Sequence, residues 1–373
     1  MEIYDRATRK LASTRWRRDP LGSLNERVHE HVSNRMSKNL RELFVDQFHL
    51  CKLKPSEIVA IVSEIGKKND YVDAAADSAR SLGAAALVLT ASSLSNPVLP
   101  PYDSGDGREI PALLAAAAEC DLVVDVTVGG LIHSDVRTRI TGAGKRMLFV
   151  AEPADVLERL IGTEGLRASA EDGARRLKAG RKLHVTSEAG TDLTADISGA
   201  DLPITQQWGF VDQPGRWDHW PSGFIACFPR DLSAQGQIVL QPGDVLLPWQ
   251  RYVRDEVRLR IKNGFIEDIS GPGTDAFVLR DYFESWKDHN VFAVSHVGWG
   301  FHPAARWSAF EVYEARALFG QELRSTAGNF MWSTGSNRFA NRHTPAHLDI
   351  PMRGCTIEID GEPVVVTGRL EKR

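Results

Sequence analysis

The sequence predicts an α/β region built on a parallel sheet, followed by an α+β region whose strands are mainly antiparallel. Two observations lead to this fold class. Between about residues 36 and 190, short apolar runs alternate with helical stretches, which is typical of a parallel sheet covered on both faces. After about residue 190, short β-like runs are separated by Gly, Pro and Asn. We therefore divide the chain into an N-terminal arm (1–35), an α/β domain (36–190) and an α+β domain (191–373).

The elements of the α/β domain follow from the length and composition of its apolar runs. Short apolar segments bounded by polar residues predict buried strands, and longer stretches with helical spacing predict helices. The predicted strands cover residues 57–65, 85–91, 121–128 and 145–152, and the predicted helices include 70–82 and 109–120. The arm before this domain is polar and arginine-rich, without clear periodicity. We interpret it as a helical or loosely ordered segment that could pack on another subunit.

The α+β domain is predicted from turn residues that separate strand-like runs. Residues 236–248 and 257–271 have β-like composition, and Asn263-Gly264 carries the signal of a tight hairpin turn. A helix is expected over 277–287. Most of the tryptophans and histidines fall in this domain. Because enzymes commonly place their sites between two such layers, we expect the functional site here.

Composition excludes several classes of protein. The 373 residues carry a formal net charge of -4, so the chain has no excess of positive charge that would attract nucleic acid or anionic lipid. The longest apolar stretch is interrupted by Glu119, Asp121 and Asp125, which argues against a membrane-spanning helix. The charged N-terminus is not a secretory signal, and the four cysteines have no CxxC spacing. We expect a cytoplasmic protein without nucleic-acid or membrane partners.

A candidate metal site begins with His347 and Asp349 in the segment TPAHLDIP. In an extended chain, side chains two residues apart point the same way, so both would face one side. An imidazole beside a carboxylate offers two adjacent ligands to a metal. On its own, however, this pattern is common, and a structural hydrogen bond between the two side chains is the simpler interpretation.

His296, in VFAVSHVGWG, supplies a candidate third ligand. We expect it to share an apolar strand face with Phe292 and Val294, where a histidine is more often a satisfied core residue than a ligand. Two histidines and one carboxylate form the facial triad that leaves open positions on Fe(II). Zinc with the same donors is the rival assignment, and spacing alone does not decide between them.

Other candidates surround this triad in the sequence. GFVDQPGRWDHWPSGF (209–224) is interpreted as a loop in which His219 either acts as an acid or base, or only bonds the backbone. His133 follows a predicted parallel strand, where α/β sheets bind ligands, but could be an incidental loop residue. Ser333 and Thr334 are expected in a loop, where a hydroxyl could bond a ligand or cap the turn. Arg324 is assigned by default to an ordinary surface ion pair.

Four segments taken together, RWDHWPSGF, VSHVGWG, GNFMWSTG and TPAHLDIPMRGC, resemble 2,5-dihydroxypyridine 5,6-dioxygenase, a ring-opening family of bacterial nicotinate breakdown. The resemblance runs from about residue 40 to the end and includes ECDLVVD, VAEPADVLERL and the hairpin IKNGFI. The family is itself akin to thermophilic-type metallo-aminopeptidases. The resemblance implies an N-terminal α/β domain, a C-terminal α+β domain, and insertion of both atoms of dioxygen across the ring bond beside nitrogen.

The resemblance also implies roles for individual residues. His296, His347 and Asp349 match Fe(II) ligands, and His219 matches a histidine thought to act as base on the ring hydroxyl. Residues that match the substrate pocket are His133, Arg324 and Ser333, of which Ser333 is also assigned to the catalytic group. Where the family has a pocket glutamate, this chain has Gln207, which can bond a ring but cannot serve as a base. That difference leaves the identity of the ring substrate open.

Three functions are therefore compared. The leading one is an Fe(II)-dependent, extradiol-type dioxygenase that takes a small aromatic substrate and O2 and forms a homo-oligomer, a dimer or higher. The second is a metallo-aminopeptidase-like hydrolase, although paired metals need several carboxylates and the matched segments offer only Asp349. The third is a non-catalytic small-molecule-binding protein that kept the fold.

Overall fold

The structure is a computed structural model that describes residues 36–92, 110–131, 135–150, 152–314 and 317–371. Residues Lys38–Arg373 form one compact unit, and the predicted arm 1–35 lies outside the described residues. Within the described ranges, no helix combines the length and apolar character needed to cross a bilayer. All four cysteines are buried and free.

The described residues form helices and strands that alternate in the first half and are mostly strands in the second. The α-helices are α1 (Leu40–Leu50), α2 (Asn69–Ser81), α3 (Ile110–Ala118), α4 (Asp135–Gly142), α5 (Ala154–Arg159), α6 (Glu164–Ala179), α7 (Thr274–Ser285), α8 (Ala309–Val312) and α9 (Gln321–Ser325). The strands are β1 (Ile58–Glu64), β2 (Ala85–Ala91), β3 (Leu122–Asp125), β4 (Arg146–Val150), β5 (Lys182–Thr186), β6 (Asp192–Asp196), β7 (Ile204–Gln207), β8 (Trp217–Trp220), β9 (Phe224–Cys227), β10 (Gln235–Leu240), β11 (Val245–Leu246), β12 (Arg251–Tyr252), β13 (Val257–Lys262), β14 (Phe265–Ser270), β15 (Val294–Gly300), β16 (Phe330–Asn337), β17 (Arg342–Met352), β18 (Thr356–Ile359), β19 (Glu362–Val366) and β20 (Arg369–Leu370).

The predicted parallel sheet is present, with strand order β2-β1-β3-β4-β8. Every pairing in it is parallel. Strands β3 and β4 are buried along their whole length, as expected for strands covered on both faces. Helix α2 packs on β1 and β2, and α4 packs on β4. The carboxyl ends of these strands therefore meet at one edge of the sheet.

The predicted antiparallel region consists mainly of two larger sheets. One has the order β14-β13-β10-β6-β5-β18-β19-β20, and the other has the order β17-β16-β15-β9-β7. Strand β13 alternates buried and exposed residues, so one face of it meets solvent. Asn263 and Gly264 both have positive φ, 48° and 75°, in the β13–β14 turn, which confirms the hairpin predicted from their sequence.

The predicted boundary near residue 190 does not separate the parallel sheet from the antiparallel sheets. Strand β5 precedes it and pairs in the eight-stranded antiparallel sheet, whereas β8 follows it and completes the parallel sheet. The division into two domains at this boundary stays a prediction.

Three local predictions were wrong. The segment 209–224 is not wholly a loop, because Trp217–Trp220 is strand β8, with its polar Asp218 satisfied by Arg216 and by backbone N–H groups. Ser333 and Thr334 lie in the buried strand β16 rather than in a loop. Phe292 belongs to a 3₁₀ turn, so the strand that carries His296 begins only at Val294.

We predict that the close approach of β16 to β17 makes Gly335 indispensable. Its φ is +91°, and a Cβ there would lie 2.1 Å from the Ala346 backbone oxygen. Gly66 has a comparable φ of +71° with nothing within 4 Å of a Cβ, so it is a matched control. Gly335→Ala should destabilise the protein by about 1–3 kcal/mol more than Gly66→Ala does, the usual cost of overpacking. Equal urea midpoints for the two variants would show that β16 and β17 can separate freely.

Candidate metal centre

Three neighbouring strands bring the two histidines and the aspartate together. In the β16–β17 register, Gly335 lies opposite His347 and Ser333 lies opposite Asp349. The β15–β16 register shifts between Val294 and Val297, so two residues of β15, one of them His296, face a single residue of β16. Such bulges re-aim side chains. The backbone N–H of His296 donates to Ser333 Oγ at 3.1 Å, which fixes the bulge beside Asp349.

The three side chains converge on one small volume. Nε2 of His296 and Nε2 of His347 each lie 3.2 Å from Asp349 Oδ1, and one ligand atom from each residue lies within 4.8 Å of the others. The two imidazole rings are 5.2 Å apart. All three side chains are buried or nearly so.

The hydrogen bonding of Asp349 fits a metal better than a structural contact. Despite the short distances, Oδ1 accepts no well-formed hydrogen bond from the described residues, although it is buried. A buried carboxylate oxygen without a donor costs free energy unless a cation is shared with it. Two imidazoles and one carboxylate are a donor set for Fe(II) or zinc. The simpler interpretation, a single structural His–Asp hydrogen bond, would not require two imidazoles to converge on this one oxygen.

Arg324 holds the other oxygen of the same carboxylate. Its Nε donates to Asp349 Oδ2 at 2.7 Å, and its Nη1 donates to the Phe319 backbone oxygen at 3.1 Å. The Arg324 side chain is only 12% exposed, so the surface ion pair assigned by default is wrong. Burial alone would raise the pKa of Asp349, but His347 and Arg324 hold that pKa well below its usual value. The carboxylate therefore stays ionised and ready to bind a cation.

His219 lies near this cluster at the carboxyl end of β8. Its Nδ1 is 2.7 Å from Gln207 Oε1, which also accepts from Ser222 Oγ at 3.1 Å. Because Gln207 presents its oxygen, Nδ1 carries the proton and Nε2 keeps a lone pair. Burial, followed by the charges of Arg324 and Arg137, lowers the pKa of His219 well below 6.5. The imidazole is therefore neutral and able to accept a proton at Nε2.

Aromatic rings surround His219 on several sides. Phe149 and Trp217 meet it edge-on at 5.6 and 5.7 Å, and Phe319 stacks at 6.1 Å. The buried Glu152, whose pKa burial raises to about 6, accepts the backbone N–H groups of Phe319 and Gln321. Glu152 thus fixes the segment that carries both Phe319 and Arg324.

The remaining sequence candidates have different outcomes. Gln207 is fully buried, and its Nε2 has no hydrogen-bond partner within the described ranges. Ser333 is buried against the His296 backbone, and its assigned catalytic and substrate-binding roles stay predictions. His133 lies outside the described residues. Sequence analysis missed Phe149, Phe319 and Glu152. Two of these could have been suspected, since Phe149 and Glu152 lie at or just beyond the end of a predicted parallel strand.

Comparison with known proteins identifies relatives of the whole chain. Residues 39–372 match the family model described as NicX, 2,5-dihydroxypyridine 5,6-dioxygenase. The chain is 36% identical over 337 residues to 2,5-dihydroxypyridine 5,6-dioxygenase of Pseudomonas putida, covering 88% of this chain and 95% of that protein. The solved structure of 2,5-dihydroxypyridine dioxygenase from P. putida KT2440 superposes with a TM-score of 0.84 at 35% identity, covering 90% and 97% of the two chains.

A more distant likeness concerns the fold alone. Wild-type AmpT from Thermus thermophilus matches with a TM-score of 0.61 at 15% identity, covering 89% of this chain and 99% of that one.

We predict that removing the shared carboxylate abolishes metal binding. Asp349→Ala deletes the one acid of the cluster and leaves two imidazoles beside Arg324, so the purified variant should contain almost no metal. His343→Ala is the matched control, because His343 is an exposed histidine of the same strand β17. Elemental analysis of anaerobically purified protein measures the metal-to-chain ratio. Full metal content in Asp349→Ala would overturn the ligand assignment.

Proposed function

Because the chain belongs to the 2,5-dihydroxypyridine 5,6-dioxygenase family, we propose that it opens a hydroxylated pyridine ring with O2 in an Fe(II)-dependent, extradiol-type reaction. The substrate is 2,5-dihydroxypyridine or a related electron-rich hydroxylated ring. The observation that carries the proposal is the buried group of His296, His347 and Asp349. This group of residues occurs in a chain that aligns with 95% of the length of a known 2,5-dihydroxypyridine 5,6-dioxygenase.

In this proposal His296, His347 and Asp349 hold Fe(II) as a facial triad. When bound, Fe(II) supplies open coordination positions and the redox chemistry that dioxygen needs. Arg324 keeps Asp349 oriented through Oδ2, so that Oδ1 faces the two imidazoles. Ser333 supports the His296 backbone from the neighbouring strand.

His219 acts on the substrate rather than on the metal. Its neutral Nε2 takes the proton of a ring hydroxyl, which leaves the ring oxygen anionic. Gln207 holds the Nδ1–H and thereby keeps the lone pair on Nε2. The unpaired Gln207 Nε2 donates to an acceptor atom of the ring. Phe149, Trp217 and Phe319 exclude water around the ring and restrict its motion.

Two other functions are weaker. A paired-metal aminopeptidase needs several carboxylate ligands, and the metal-binding group found among the described residues has one, Asp349. The likeness to AmpT is too low in identity to carry an activity. A binding protein without turnover would not need a neutral base beside three intact ligands. Cytoplasmic location, homo-oligomerisation and the absence of nucleic-acid or membrane partners stay predictions.

One experiment separates these functions. The protein is purified anaerobically, its metal is quantified, and oxygen uptake is followed with a panel of hydroxypyridines and with a dipeptide. About one iron per chain and uptake that depends on the ring support the dioxygenase. Paired zinc or cobalt together with peptide cleavage would instead indicate a peptidase. Bound metal without either activity would favour a binding protein.

We predict that His219→Ala retains iron but loses most turnover. The imidazole is not part of the ligand group, so metal content should match the unaltered protein. Loss of a general base typically lowers kcat by about 10²–10⁴-fold. Steady-state oxygen uptake at saturating substrate measures kcat directly. A kcat equal to that of the unaltered enzyme would remove His219 from the role of base.

We predict that Gln207→Glu shifts the acid limb of the pH–rate profile upward. A carboxylate against Nδ1 stabilises the protonated imidazole, so the pKa of His219 rises from its lowered value. A base must be neutral to work, and therefore the variant loses activity at a higher pH than the unaltered enzyme as the pH falls. Gln241→Glu, on a surface turn, is the control. An acid limb that stays in place or moves downward would contradict the assigned contact.

A further inference from the structure

Arg137 is a cation beside the site, and no side chain that the structure describes supplies it with an anionic partner. Its guanidinium lies over the Trp217 ring with Cζ 4.3 Å from the ring centroid. Burial and the charge of Arg338 are the influences on its pKa, and no carboxylate among the described side chains is one of them. Burial, and then the neighbouring charge of Arg338, lowers the pKa of Arg137 to about 10, so it is still charged at neutral pH. A half-buried charge in this condition is stabilised by a neighbouring anion.

The location of Arg137 connects it to the reacting groups. It lies in the first turn of α4, which follows β3 of the parallel sheet, at the carboxyl edge where α/β sheets bind ligands. The amino end of a helix adds partial positive charge there. Trp217, which carries the guanidinium on its ring, is also in contact with His219, at 5.7 Å between ring centroids. One aromatic ring therefore separates Arg137 from the base.

Arg338 lies close to the first turn of α4, which carries Arg137. It opens the 3₁₀ turn Arg338–Ala340 between β16 and β17, and its Nη1 donates to Thr138 Oγ1 at 3.2 Å. The next residue, Phe339, contacts Phe228 at 4.8 Å, and Phe228 contacts the ligand His296 at 5.6 Å. No carboxylate of the described residues pairs with Arg338 either. The two guanidiniums are thus neighbours, and aromatic contacts link Arg137 to His219 and Arg338 to His296.

We propose that Arg137, assisted by Arg338, binds a carboxylate substituent of the ring substrate. This inference rests on the proposed function and refines its substrate class to hydroxypyridines that carry a second negative group. In the proposed function, the deprotonated hydroxyl interacts with His219 and the metal-ligand group rather than with Arg137. Arg324 is already paired with Asp349. A carboxylate matches the planar fork of a guanidinium, which explains an arginine at this position better than a lysine would.

The test compares charged and uncharged rings in the iron-loaded enzyme. The probes are 2,5-dihydroxypyridine and its 3-carboxylate and 4-carboxylate. For whichever carboxylate the unaltered enzyme prefers, Arg137→Gln should raise KM by about 10- to 100-fold, the usual value of a charge-assisted pair. The readout is the ratio of the two KM values, because the same variant should raise KM for the carboxylate far more than KM for 2,5-dihydroxypyridine. Arg139→Gln, an exposed arginine on the same helix, is the matched control and should change neither value.

A binding measurement separates this inference from the proposed function. Anaerobic quenching of tryptophan fluorescence follows ring binding without turnover. Tighter binding of a carboxylate than of 2,5-dihydroxypyridine, lost in Arg137→Gln, supports the anion site even if no ring is opened. Should Arg137→Gln fail to fold, the exposed Arg338→Gln must weaken carboxylate binding selectively, and Arg137→Lys must lower it partially. Equal affinity of the unaltered enzyme for charged and uncharged rings, or equal losses for both in the variants, would overturn the inference.

Discussion

The two oxygens of the Asp349 carboxylate have different environments, and the rest of the site depends on that difference. Oδ2 is held by Arg324 at 2.7 Å, while Oδ1 lies 3.2 Å from two imidazole nitrogens. If both oxygens were satisfied by donors, the cluster would be an ordinary buried ion pair. Because Arg324 takes only one, the carboxylate stays ionised and oriented, and its second oxygen is available to a cation. The bulge in β15, the β16–β17 register and Glu152 all serve this arrangement.

Burial leaves the neighbouring His219 uncharged, in contrast to Asp349. His219 is surrounded by aromatic rings and by positive charge, so it remains neutral, whereas Asp349 is kept ionised by its partners. Two titratable groups whose environments separate their pKa values can divide the chemistry between cation binding and proton transfer. Because Gln207 stands in place of an acid, the His219 imidazole is less basic than a carboxylate-linked imidazole would be. The protonation state of His219 is therefore set by burial and by its hydrogen bond to Gln207, rather than by an acidic partner.

Much of this arrangement could be predicted from sequence, for identifiable reasons. Uniformly apolar runs marked the parallel strands, Asn263-Gly264 marked a hairpin, and the two-residue spacing of His347 and Asp349 in a strand placed them on one face. The strand nature of residues 217–220 was hidden, because its parallel pairing with β4 joins segments far apart in the sequence, with Met147 opposite Trp217. The same holds for Arg324, whose partner is 25 residues away. Contacts between separated segments decide these features, and no local pattern records them.

The central claim is that His296, His347 and Asp349 share one metal ion. Anomalous diffraction at the iron absorption edge, from crystals of anaerobically purified protein, tests it most directly. We expect a single anomalous peak per chain, within bonding distance of both Nε2 atoms and of Asp349 Oδ1. Two adjacent peaks, or one peak elsewhere in the molecule with Asp349 bonded only to protein, would contradict the account.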